Sequence, residues 1–445
     1  MNKFFIVFVS VTVFFSAVCN AEENLYTDGP EVFEPITEVE TIVQIRASAY
    51  KHSKSSQDDV IADMRADMRV ESQVAPTTVV VGQLRVIGDT ADIAQDTTLD
   101  SHDGHKTIMS IREAYVEFTP ETSLKELNIA IGKKIVSNAV QFDFAEFNPL
   151  ARRDQSEPFS VMDNGTRDGV LLASVEMQLS ADASLFGQCV VAGRNNPITA
   201  TESNDHWSRD LPLGMSQGDP EVATDINYLC RMWQERDDGS VIEVAVFHGS
   251  GSGVDHVVSN GVDINPVFVE ETGISASASF TLGDFVTRLG CDAHFQNGSD
   301  DFVTCLGEVD RIFEFENGAT LFVEMGYVNS FVTNESDVSM SGLDMRRALN
   351  NHLVASVEYS PVDGLTFSAS GAKSLEAEDY YFRIQAEVLL DTFFPTLEEG
   401  VFANTLITVR GECISGEQHQ NGEVDTIFGA HDDDDRVMLI FTKEF

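Results

Sequence analysis

The chain has 445 residues, with 28 Lys+Arg against 73 Asp+Glu and a formal net charge of −45. So acidic a surface excludes nucleic-acid binding, because phosphate recognition needs a basic footprint. Two readings of the acidity remain, solubility in a salty habitat or a surface or pore that attracts cations.

The first segment reads as an address. Met1-Asn2-Lys3 is positive, and an apolar run from Phe4 to Val18 follows, broken only by serine and threonine. Cys19-Asn20-Ala21 suits signal peptidase, so residues 1–21 are expected to be a cleaved signal peptide and 22–38 a short periplasmic segment. No later run reaches the roughly 18–20 apolar residues of a spanning helix. A membrane form would therefore have to be a β-barrel, since only helices and closed barrels satisfy the backbone in lipid.

From there the pattern has a period of two. In Tyr380–Leu390, Tyr380, Phe382, Ile384, Ala386 and Val388 share one face, and Tyr381, Arg383, Gln385 and Glu387 share the other. Turn signals divide the chain into about 18 such runs. They lie near 41–53, 60–74, 79–93, 107–119, 128–136, 169–180, 184–194, 225–235, 241–249, 267–281, 284–296, 301–315, 319–330, 352–360, 365–375, 380–390, 405–414 and 435–445. Even connections are mostly tight, as in Ala75-Pro76-Thr77-Thr78 and Glu316-Asn317-Gly318, whereas odd ones are often long, as in 137–168 and 195–224. Short periplasmic turns and long outer loops alternate in this way in membrane barrels. The last run, with Val437, Leu439, Phe441 and Phe445 on one face, resembles the terminal strand recognised by the barrel assembly machinery. The expected fold is all-β, a single transmembrane antiparallel β-barrel of about 16–18 strands over residues 39–445. The expected location is the outer membrane of a Gram-negative cell, with outer-membrane lipid around the barrel.

A family resemblance is carried by residues 111–169. Ile111-Arg112-Glu113-Ala114-Tyr115-Val116-Glu117 is followed by Ile131-Gly132-Lys133-Lys134, Phe147-Asn148-Pro149-Leu150, Arg153-Asp154 and Arg167-Asp168-Gly169. This series resembles that of alginate-export-like and related uncharacterised porins. The resemblance implies a barrel channel and does not imply alginate, because Ser137-Asn138 stand where many members carry Trp-Gly.

The residues that would carry function fall in three groups. The third outer connection holds Asp143, Glu146, Asp154, Glu157 and Asp168 beside Arg152, Arg153 and Arg167. Opposed charges on a constriction would create a transverse field that sorts solutes. The strand residues Arg112, Arg231, Arg288, Arg383 and Glu387 are expected in the lumen, because a basic residue at mid-depth on the lipid face costs ~2–4 kcal/mol. Cys291 and Cys305 flank Gln296-Asn297-Gly298-Ser299-Asp300, and a hairpin centred on Gly298 sets them opposite each other, within reach of a disulfide. The cysteines show no metal-ligand spacing, and no cofactor fingerprint is present. The expected function is passive diffusion of small polar or charged solutes through a porin-like channel, with cations favoured by the carboxylate excess. Two alternatives stand beside it, a plugged barrel that binds or adheres through its loops and an outer-membrane hydrolase.

Overall fold

A computed structural model of the chain describes residues 36–50, 60–89, 107–120, 127–142, 148, 150, 152–155, 167–180, 183–193, 198–199, 221–222, 226–250, 255–259, 263–268, 270–296, 300–334, 349–394, 403–416 and 435–445. Eighteen strands make one sheet. In chain order they are β1 Ile36–Tyr50, β2 Val60–Ala75, β3 Thr78–Asp89, β4 Thr107–Phe118, β5 Asn128–Lys134 and β6 Val170–Ser180. Next come β7 Leu185–Gly193, β8 Ile226–Glu235, β9 Val241–Ser250, β10 Glu270–Leu282, β11 Phe285–Gln296 and β12 Asp301–Glu314. The last six are β13 Thr320–Asn334, β14 His352–Val362, β15 Leu365–Ser374, β16 Tyr380–Leu389, β17 Thr405–Ser415 and β18 Arg436–Glu444. Each pairs with its chain neighbours, and β18 closes on β1 from Ile42 opposite Glu444 to Tyr50 opposite Arg436. Closure removes the unpaired edges that an open sheet would present.

The expected strands are all found, and their ends shift for identifiable reasons. The first begins at Ile36, not 41, so the barrel starts before the expected boundary at 39. Its early residues have partners on both sides. Thr37 Oγ1 meets Ser72 Oγ at 2.9 Å, and the Phe445 N–H donates to the Thr41 carbonyl at 2.9 Å. The third strand is described to Asp89, and residues 90–93 of the expected run lie outside the described residues. The fifth stops at Lys134 because the next N–H, of Ile135, donates to Glu113 Oε1 at 3.0 Å. The tenth begins at Glu270, because Asp263–Phe268 pairs with Asp255–Ser259 in a separate small sheet.

The two faces of the sheet are inverted relative to a soluble protein. In β8 Ile226, Tyr228 and Met232 point outward and are exposed, while Asn227, Leu229, Arg231 and Trp233 point inward and are buried. Leu171 and Ile131 are 67% and 62% exposed, whereas Arg85 and Glu324 are 4% and 2% exposed. A continuous apolar exterior is unfavourable in water and matches the hydrocarbon of a bilayer. Exposed aromatic rings gather toward the two ends of the strands. Tyr228, Phe295, Tyr327 and Tyr380 lie toward the end with the long connections, and Phe118, Phe285, Tyr359 and Phe441 toward the other.

Candidate pore lining and inward segment

Inward-facing charges divide into two arcs. On β16–β18 and β1–β4, arginines cluster around shared carboxylates. Asp67 receives Arg65 at 2.6 Å and Arg85 at 2.7 Å, with Arg112 at 3.8 Å. Glu412 receives Arg436 at 2.6 Å, with Arg410 at 3.8 Å, and also accepts the Tyr381 hydroxyl at 3.2 Å. Among the described residues, five guanidinium groups thus gather around two carboxylates, and the strands form an arginine-rich arc. On β9–β13 buried carboxylates predominate among the described residues. Arg288 pairs with Asp310 and lies 3.7 Å from Glu324. His294 sits between Glu271 and Asp292, at 3.1 Å from each, and stacks on Phe302. Glu308, 2% exposed, joins the same arc.

The described part of the segment after β5 runs into the barrel. Its base is made by the residues of the motif read in the sequence. β4 changes register beside Arg112 and Glu113, both of which are buried. Gly132, at φ +134°, lets the β5 backbone close onto it, since a Cβ there would lie 2.2 Å from the Ala114 carbonyl oxygen. The Gly169 N–H donates to the Arg112 carbonyl at 3.0 Å. Asn148 braces the segment, its Nδ2 donating to the Val136 carbonyl at 2.7 Å and its Oδ1 accepting the Leu150 N–H at 3.0 Å.

From that base the chain is held by β8 and β9. Glu243, 3% exposed, accepts the N–H of Ala139 at 2.7 Å and of Val140 at 3.1 Å. Arg231 donates to the Ser137 carbonyl and lies 3.4 Å from Glu243. Val136 and Leu150 pack with Val170, Leu172, Val190, Leu229 and Phe247 of β6–β9. Val140 and Phe142 pack instead in a cluster with Leu306, Val328, Val354, Ala372, Tyr381 and Ile414 of β12–β17. Apolar side chains on a segment between two charged walls would be costly to leave in water, and this packing removes them from it.

The expected site residues distribute unevenly over this frame. Arg112, Arg231, Arg288, Arg383 and Glu387 lie on inward positions. Arg383 Nε donates to Ser370 Oγ at 3.2 Å, and Glu387 Oε1 accepts Thr408 Oγ1 at 3.2 Å. Asp143, Glu146 and Glu157 lie outside the described residues. Of Arg152, Arg153, Asp154, Arg167 and Asp168 only the backbone is described. Arg152 and Arg153 pair with Asp168 and Arg167 in a short antiparallel ladder, and Asp154 pairs with Ile198. Cys291 and Cys305 face each other across β11 and β12, with Cα atoms 4.1 Å apart, and are joined by a disulfide. A second disulfide, Cys189–Cys230, joins β7 to β8 and was not foreseen. Its two cysteines belong to strands separated by a long connection, which hides the register. Also missed were Asp67, Glu243 and Glu412. A charge alternating with apolar neighbours, as in Glu243 between Ile242 and Val244, was the available signal.

No protein-family model matches the chain, and no curated protein matches it. Solved structures do. The chain is similar to Pseudomonas aeruginosa OccK8 (OprE), with a TM-score of 0.53 and 9% identity, covering 92% of this chain and 98% of that one. It is similar to a BenF-like porin from Pseudomonas fluorescens Pf-5, with a TM-score of 0.52 and 10% identity over 93% and 98%. It is also similar to Pseudomonas aeruginosa OccK2 (OpdF) in complex with glucuronate, with a TM-score of 0.52 and 10% identity over 92% and 96%. At such identities the likeness is one of fold, a porin-type barrel. The resemblance of residues 111–169 to alginate-export-like porins gains no support beyond that level.

Proposed function

We propose that the protein is an outer-membrane channel of the porin kind, through which small polar or charged solutes diffuse passively. The observation that carries this reading is a closed barrel with an apolar exterior and an inward face that holds an arginine-rich arc and a carboxylate-rich arc. Opposed walls impose a transverse field, which orients a dipolar solute and lowers the cost of removing its charged groups from bulk water. The described residues 136–142 supply a narrowing, and the charged residues of the same connection in sequence, Asp143, Glu146, Arg152, Arg153, Asp154, Glu157, Arg167 and Asp168, are its candidate selectivity groups. A barrel of like fold in complex with glucuronate makes small carboxylate-bearing solutes a reasonable class to test first. The role is passage, not chemistry.

The packing of Val140 and Phe142 against β12–β17 favours a second reading, a plugged barrel that binds through its loops. Planar-bilayer recording separates the two. Discrete open steps support the channel, and a membrane-inserted barrel that stays silent supports the plug. Swelling of liposomes in neutral and charged sugars then ranks solutes by size and sign.

A further inference from the structure

An arginine on the lipid-facing side of a strand needs an explanation, since it is tolerated only near the interface. Arg311 of β12 is such a residue. It follows the inward Asp310, which pairs with Val286 next to Phe285, and shares the outward face with Val309 and Phe313. Its guanidinium carbon lies 5.1 Å from the Phe285 ring centre and 4.5 Å from that of Phe313. One terminal nitrogen donates to Asp284 Oδ2 at 2.6 Å. Asp284 belongs to the tight turn between β10 and β11, so the group sits where the strands end. The two rings fix the plane of the guanidinium and shield its faces. They leave its edge as the route of approach. The Nε–H is buried without an acceptor among the described residues. Asp284, by contrast, is 71% exposed in its side chain and keeps acceptor capacity.

We propose that Arg311, Phe285, Phe313 and Asp284 form a docking site for a single phospholipid headgroup of the phosphoethanolamine type, in the inner leaflet of the outer membrane. This rests on the reading of the chain as an outer-membrane barrel, with its short turns on the periplasmic side. The chemistry is complementary at both ends. A phosphodiester presents anionic oxygens at headgroup level, and guanidinium edges bind such oxygens through charge-assisted hydrogen bonds. The ammonium of the same headgroup, two carbons beyond the phosphate ester, has a carboxylate to meet in the exposed Asp284. A headgroup without an ammonium satisfies only half of the site.

The test is lipid retention by the full-length barrel, released from vesicles of mixed phosphatidylethanolamine and phosphatidylglycerol and weighed by native mass spectrometry. The wild-type protein should retain phosphatidylethanolamine in preference. Arg311→Gln should lower that retention about tenfold, as loss of one charge-assisted contact implies. Arg311→Lys should restore part of it. Asp284→Asn should erase the preference between the two lipids while keeping some binding. Excess inorganic phosphate should leave the bound lipid in place. Equal retention of both lipids by the wild type, displacement by free phosphate, or an unchanged Arg311→Gln protein each overturns the proposal. Bilayer recordings on the same samples keep the two readings apart. A conducting barrel with unaltered lipid retention removes only the headgroup site, and a chain that enters no bilayer removes both.

Discussion

Glu243 holds the inward segment by its backbone, accepting two N–H groups while facing Arg231. Hydrogen bonds to a charged group contribute ~1.5–3 kcal/mol each, far above a neutral pair. Glu243→Gln preserves volume and removes the charge. The expected outcome is a segment that leaves its seat part of the time, seen as higher mean conductance and open-state noise. Traces indistinguishable from wild type would show that Glu243 does not hold the constriction. Asp67 plays the opposite electrostatic part, restraining three arginines at once. Asp67→Asn should remove one negative charge from the arginine-rich arc, and the reversal potential in a salt gradient should move toward anions. No movement would argue that this arc does not border the conduction path. Neither residue stands out in the sequence, because an acidic side chain on a lumen-facing strand position looks the same whether it holds backbone, arginine or water.

Between neighbouring strands, small geometric clips set the stability of the barrel's outer half. Asn227 is fully buried, donates to the Gly193 carbonyl at 3.0 Å and accepts the Ser250 N–H at 2.7 Å, tying β8 to both flanks. Gly249 makes room for it. Its φ is +149°, and a Cβ there would lie 2.1 Å from Asn227 Oδ1. Gly249→Ala should therefore cost about 1–3 kcal/mol, read as a lower urea midpoint for unfolding from lipid vesicles. A midpoint equal to wild type would mean that β8 and β9 yield at little cost. The two disulfides act at the same scale. Cys291–Cys305 spans 14 residues and Cys189–Cys230 spans 41, and the longer closure restricts the unfolded chain more. Thiol labelling in denaturant should gain four sulfhydryls on reduction. An equal count with and without reductant would show that neither bond forms. The shorter pair is legible in sequence because a turn centre fixes the register around it. The longer one is not, since a separation of 41 residues that includes a long connection leaves the partner of Cys189 undetermined.

At the scale of the whole barrel, the acidic excess and the two arcs make different demands. The excess predicts a preference for cations, and the arginine-rich arc works against it along its own wall. The expected result is a modest cation preference in salt-gradient recordings, falling as ionic strength screens the walls. A strong anion preference would mean that the arginine arc dominates the narrowest section. In swelling assays, charged sugars small enough to pass should enter at rates ordered by sign as well as size.

The alternation of side chains and of connection lengths was enough to determine a closed barrel of about 16–18 strands and the two faces of the regular strands, such as Tyr380–Leu390. That follows because a strand has one repeat and a bilayer imposes one rule on each face. The motif around Gly132, Asn148 and Gly169 was also visible, though as a resemblance and not as a hinge. The path of residues 136–142 was decided by tertiary structure alone. The carboxylate that receives Ala139 and Val140 comes from Glu243, about a hundred residues later, and the apolar seat of Phe142 comes from strands later still. The grouping of arginines on one arc had the same origin. β1–β4 and β16–β18 lie at opposite ends of the chain, and only the closure of β18 on β1 brings their charges onto one wall.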